Sequence, residues 1–82
     1  MIRYVVLGLD RDITAWRREH GVPFREVIGV STRDGDKSTR GLSLPAEVEI
    51  ITLPSWSQAS QRVRDAVAQN LEIARMVYRP AD

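Results

Sequence analysis

The sequence predicts an α/β domain of β-α-β-β-α order, with a three-stranded, mainly parallel sheet in strand order 2-1-3 and a long C-terminal helix. Three observations carry this. An apolar run near the N-terminus, IRYVVL, suits a strand covered on both faces. Signals for a strand, a helix and a second strand follow one another before residue 31, the spacing of a parallel crossover, and such crossovers are almost always right-handed. Beyond Pro54 the chain carries one sustained amphipathic pattern.

The first strand is expected over Ile2 to Leu7, ending at Gly8. A short helix over roughly 11 to 20 follows, with Asp10 as N-cap acceptor, Asp12 adding negative charge to the first turn, and Ile13, Trp16 and His20 at three- and four-residue spacing. Gly21 suits a left-handed terminator, Val22 can fold back onto Trp16, and Pro23 cannot continue the helix. Glu26 to Val30 is the second strand. Ser31 to Leu44, STRDGDKSTRGLSL, is polar and aperiodic, so it reads as a long loop or at most one helical turn. The third strand is Val48 to Leu53, where Glu49 and Thr52 interrupt the apolar run and predict a less buried position than the first. Because no crossover helix is evident between Ser31 and Ala46, an antiparallel third strand stays open.

The last helix should start near Ser57 and reach about Tyr78, with Pro80 as its stop. Ala59, Val63, Ala66, Val67, Leu71, Ile73, Ala74, Val77 and Tyr78 fall within an arc of about 160°, wider than one ordinary core stripe. At roughly 33 Å against about 20 Å for a six-residue strand, its C-terminal third is expected to overhang the sheet. Leu71, Ile73, Met76 and Tyr78, with Asn70 among them, are then a candidate partner or dimer surface. Asn70, near the centre of the arc, either pairs with a second amide to set helix register or bonds a nearby backbone group.

Composition narrows the function classes. With 82 residues the chain is expected to be a single domain, 1–82, that buries a little over 60% of its unfolded surface, so help from an oligomer or partner is expected. Cysteine is absent and His20 is the single histidine, which removes disulfides, thiolate zinc sites and multi-histidine metal sites, and no cofactor is implied. The 12 basic and 11 acidic residues nearly cancel and are interleaved, against a nucleic-acid binder with a concentrated basic face. Eleven of the basic residues are Arg, a bias that a GC-rich genome produces by itself. The apolar run Tyr4 to Leu7 is too short for a signal or membrane segment, so a soluble cytoplasmic protein is expected.

In an open parallel sheet, ligands bind beyond the carboxyl ends of the strands. There Arg11, Arg33, Lys37 and Arg40 form a candidate anion or nucleotide pocket over helix N-termini, with Trp56 either stacking on a ligand, anchoring a partner or serving as a buried staple. Gly8 to Asp12 is not a phosphate-cradling loop, since it lacks both the further glycines of a dinucleotide fingerprint and the Gly-Lys-Ser/Thr of a P-loop. His20, just before Gly21, suits a capping or dipole role, and Trp16 suits the core.

Val5 to Thr14, VVLGLDRDIT, resembles the first motif of haloacid-dehalogenase-like phosphohydrolases. That resemblance implies Asp10 as nucleophile, Asp12 as general acid, Ser31 or Thr32 for the second motif and Lys37 for the third. The chain departs from the pattern at Ile13, where a glycine is usual, and no acidic residue follows strand three to complete a magnesium site. A second resemblance spans roughly residues 2 to 57. Arg11-Asp12-Ile13 leading to Trp16, His20-Gly21-Val22, Arg40-Gly41-Leu42 and Leu53-Pro54-Ser55-Trp56 resemble small Rossmann-like proteins encoded by actinobacterial phages. It implies phage origin, a nucleotide-binding sheet stripped of its P-loop, and no catalytic apparatus. The expectation is a non-catalytic protein-interaction module that binds a host or phage protein, or itself, through its C-terminal helix. A nucleotide or phosphate binder is the alternative and the Asp-x-Asp-x-Thr phosphohydrolase the third reading.

Overall fold

The computed structural model describes residues 1–76 and has the expected α/β architecture. Three strands, β1 (Tyr4–Gly8), β2 (Val27–Ser31) and β3 (Glu49–Thr52), form one parallel sheet in the order β2-β1-β3. Helices α1 (Asp10–Glu19), α2 (Gly35–Ser38) and α3 (Gln61–Met76) complete it, with 3-10 turns at Phe24–Glu26 and Pro54–Gln58. The antiparallel alternative for the third strand is excluded by its register, in which Tyr4 lies opposite Glu49 and Leu7 opposite Thr52.

β1 is central, and Val5, Val6 and Leu7 are buried, as a strand covered on both faces demands. Val5 and Leu7 join the large cluster on the α3 side, with Val30, Val48, Val63, Val67, Leu71 and Ala74. The opposite face carries Tyr4, whose ring meets Trp16 of α1 edge-on at 5.3 Å between centroids. On that face Ile13 lies over Gly29, where a β-carbon would sit 3.4 Å from Ile13 Cγ2.

α1 begins one residue earlier than the sequence suggests. Leu9, in extended conformation, occupies the N-cap, and its carbonyl accepts the N–H groups of Asp12 and Ile13 at 3.0 and 2.9 Å. Asp10 is therefore the first helical residue and makes no side-chain cap; with Asp12 it places negative charge in the first turn, where the helix dipole favours it. The helix ends as expected. Gly21 has φ +62°, its N–H donates to Arg18 O, and Val22 N–H donates to Arg17 O, the paired bonds of a Schellman motif. His20 stacks on Trp16, and its Nδ1 lies 2.9 Å from Trp16 O.

The return from β2 to β3 needs no crossover helix, because α3 already occupies the helix layer on that face. α2 is a single turn packed against α3. The chain then runs beside the C-terminal half of α3, where Leu44 N–H donates to Ala74 O at 2.9 Å and Arg75 Nη2 donates to Val48 O at 2.9 Å. Leu44 and Val48 are buried, and Leu42 packs against the same cluster.

That arrangement corrects the expected overhang. α3 starts at Gln61, later than the sequence suggests, because Pro54–Gln58 forms a 3-10 turn; Ser60 Oγ then accepts Val63 N–H at 3.2 Å. Over its 16 described residues the helix is about 24 Å long. Leu71 is 6% exposed and Ala74 fully buried, so Leu71 belongs to the core rather than to a free surface. Ile73 and Met76 are exposed as expected. Val77, Tyr78 and the stop at Pro80 lie outside the described residues.

Candidate functional site

Beyond the carboxyl ends of the strands, the polar groups are largely committed to holding loops together. Ser55 Oγ accepts Leu9 N–H at 3.0 Å, tying the turn after β3 to the start of α1. A β-carbon at Gly8 would lie 2.9 Å from that same oxygen, which explains glycine there. Ser31 Oγ accepts Asp34 N–H at 2.9 Å and shapes the entry to α2.

Trp56 is 8% exposed and part of the core cluster. Its Cη2 sits 3.2 Å from where a Gly35 β-carbon would be, so the indole supports α2 from below. The ligand-stacking assignment is thereby corrected in favour of the buried anchor. Asn70 is likewise committed within the chain, as its Nδ2 donates to Asp36 O at 3.1 Å and to Thr39 Oγ1 at 3.0 Å. Thr39 Oγ1 in turn donates to Gly35 O at 2.7 Å, in a fully buried position. Asn70 therefore pins α2 to α3, the backbone-bonding alternative of the two the sequence offered; an amide in an apolar arc is tolerated here because its donor bonds are met. Reading along the chain could not pair Asn70 with Thr39, which lies 31 residues away.

One ion pair closes the same corner. Arg62 Nη1 donates to Asp36 Oδ2 at 3.1 Å, and this hydrogen bond, more than any other influence, holds the Asp36 carboxyl below its ordinary range. Arg11, Arg33, Lys37 and Arg40 are all exposed, and among the described residues the ion pairs belong to Arg3 and Arg62 instead. Arg11 lines a shallow depression with Leu9, Asp10 and Gln58, so a carboxylate shares the wall with the cation. Among the described residues no three His, Asp or Glu side chains converge as a metal ion requires. The magnesium site implied by the Asp-x-Asp-x-Thr resemblance is thus not assembled by Asp10 and Asp12.

The second location is the open edge of β3. Glu49 N–H donates to Arg3 O and Leu53 N–H to Leu7 O, so Glu49, Ile51 and Leu53 turn their peptide groups toward β1. By alternation, Val48, Ile50 and Thr52 turn theirs outward. Val48 O is taken by Arg75 and Val48 N–H donates to Pro45 O, which among the described residues leaves the N–H and C=O of Ile50 and Thr52 on the free edge. Beside this edge lies an apolar groove of about 410 Å³ between β3 and α3, lined by Ile50, Ala68, Leu71, Glu72, Arg75 and Met76. Met76 is 71% exposed at its rim. Ile51, on the other face of β3, is only half-buried. The interrupted run VEIITL, the last strand of the sequence, was the signal for an edge; the groove beside it depends on where α3 docks. The chain matches no known protein family, no curated protein and no solved structure.

Proposed function

We propose that this chain is a non-catalytic protein-interaction module whose contact surface is the open edge of β3 with the groove beside α3. The observation that carries this reading is the groove itself: an apolar trough with an exposed Met76 at its rim, next to unpaired backbone donors and acceptors. Such an edge recognises an extended segment by backbone hydrogen bonds, and the adjacent trough receives its side chains. The phage resemblance makes actinobacterial proteins the first partners to screen, together with the chain itself. The anion-binding alternative rests on four exposed cations that no hydrogen bond or ion pair of the described residues draws together.

The test is capture of partners by immobilised wild type, Met76→Asp and Ile73→Asp. Both residues are exposed on α3, yet only Met76 lines the groove. Binding lost in Met76→Asp and retained in Ile73→Asp supports the groove. Binding retained by Met76→Asp, or lost equally in both, overturns it. Leu71→Asp is unsuitable because burying a carboxylate in the core would unfold the domain.

A further inference from the structure

We propose that the β3 edge pairs with β3 of a second copy in antiparallel fashion, making a continuous six-stranded sheet across a two-fold axis. This rests on the interaction reading above and names its occupant.

The free backbone groups set the register. Among the described residues only Ile50 and Thr52 present unpaired N–H and C=O groups outward, so an isologous antiparallel pair places Ile50 opposite Thr52 of the other copy, and Thr52 opposite its Ile50. Each opposed pair exchanges two hydrogen bonds. Ile51 then meets its own symmetry mate on the axis, in the close, non-hydrogen-bonded position. That contact covers the half-buried Ile51 on the face where α1 packs over β1 and β2. Glu49 falls opposite Leu53 rather than opposite another glutamate.

The helix layer supplies the second argument, charge complementarity. A two-fold axis through Ile51, normal to the sheet, keeps both α3 helices on one face and runs them antiparallel. The groove side of α3 carries Glu72 and then Arg75, one turn apart. Reversed in direction, that acidic-then-basic order is complementary to itself, so Glu72 of each copy faces the basic end of the other. Arg75 already anchors one of its nitrogens on Val48 O and keeps further guanidinium donors for a carboxylate. A foreign peptide would need to bring both the strand and the opposite charge order; a second copy has both.

Sedimentation of the purified protein over a wide concentration range, with hydrogen exchange of the edge amides, is the test. Wild type should dimerise, with the Ile50 and Thr52 amides protected in the dimer. Thr52→Pro deletes an outward N–H that bonds nothing among the described residues and should give a folded monomer. Glu72→Arg should weaken dimerisation at least tenfold, and Glu72→Arg with Arg75→Glu should restore it, which decides the matter even where the proline variant misfolds. A wild type that stays monomeric at millimolar concentration with unprotected edge amides overturns the proposal. So does a dimer indifferent to Thr52→Pro and to the charge reversal. If a captured protein is still lost in Met76→Asp while wild type is monomeric, self-pairing fails and the interaction reading stands.

Discussion

Adding one methyl group at Gly35 probes how tightly α2 is pressed into the core. An ideal β-carbon there would lie 2.7 Å from Val30 Cγ1, 3.1 Å from Val67 Cγ2 and 3.2 Å from Trp56 Cη2. These atoms belong to a strand, a helix and a buried ring, and the two valines are stiff about χ1, so none can swing aside cheaply. Overpacking of this kind costs about 1–3 kcal/mol. Gly35 does not have positive φ, so alanine meets no backbone strain and recovers about 0.4–1 kcal/mol through the unfolded chain. Gly35→Ala should therefore destabilise by about 1–2 kcal/mol, which lowers Tm by roughly 5–15 °C in a domain of this size. Thermal and urea unfolding followed by circular dichroism measure it. Val30→Ala should cost less in the Gly35→Ala background than in wild type, because it removes the closest clash. A Gly35→Ala protein as stable as wild type, or additive behaviour with Val30→Ala, would refute the packing argument.

Two further outcomes follow from the same corner of the fold. Asn70→Ala should lose about 1–2 kcal/mol, since it removes the two donor bonds to Asp36 O and Thr39 Oγ1; urea midpoints within error of wild type would reject Asn70 as the pin between α2 and α3. For Asp36, the folded carboxyl titrates below its ordinary range because of Arg62, so its contribution is present above the unfolded pKa of about 4 and is lost as pH falls through the lower folded value. The stability gap between wild type and Arg62→Gln should thus be full near neutral pH, close below about pH 4, and narrow with added salt, whereas a gap constant down to strong acid would show that the pair does nothing.

The strand segments, the two longer helices and the terminator at Gly21 were legible because each depends on neighbours in sequence. Gly21-Val22-Pro23 needs only a left-handed residue and the two bonds back to Arg18 and Arg17. IRYVVL needs only cover on both faces to become the central strand. The candidate sites were less legible. Asn70 was open between a second amide and a nearby backbone group until Asp36 and Thr39 came alongside it, and Trp56 was open between a ligand, a partner and a buried staple until α2 folded over its ring. Arg11, Arg33, Lys37 and Arg40 cluster in the chain's polar loops, but polarity in a loop does not make side chains converge.

By itself the sequence determined where the three strands and the two longer helices lie, because hydrophobic periodicity and turn residues act over a few residues; the order 2-1-3 was an expectation from crossover rules that the tertiary structure fulfils. Tertiary structure alone decided how much of the last helix is free. The wide apolar arc requires cover but does not say what covers it. The segment around Leu44 and Val48 returns beside α3 and buries Leu71 and Ala74, leaving Met76 and the groove next to β3. Edge exposure is decided in the same way, since a strand is an edge only when no other strand is docked beside it, and that depends on segments far apart in the chain.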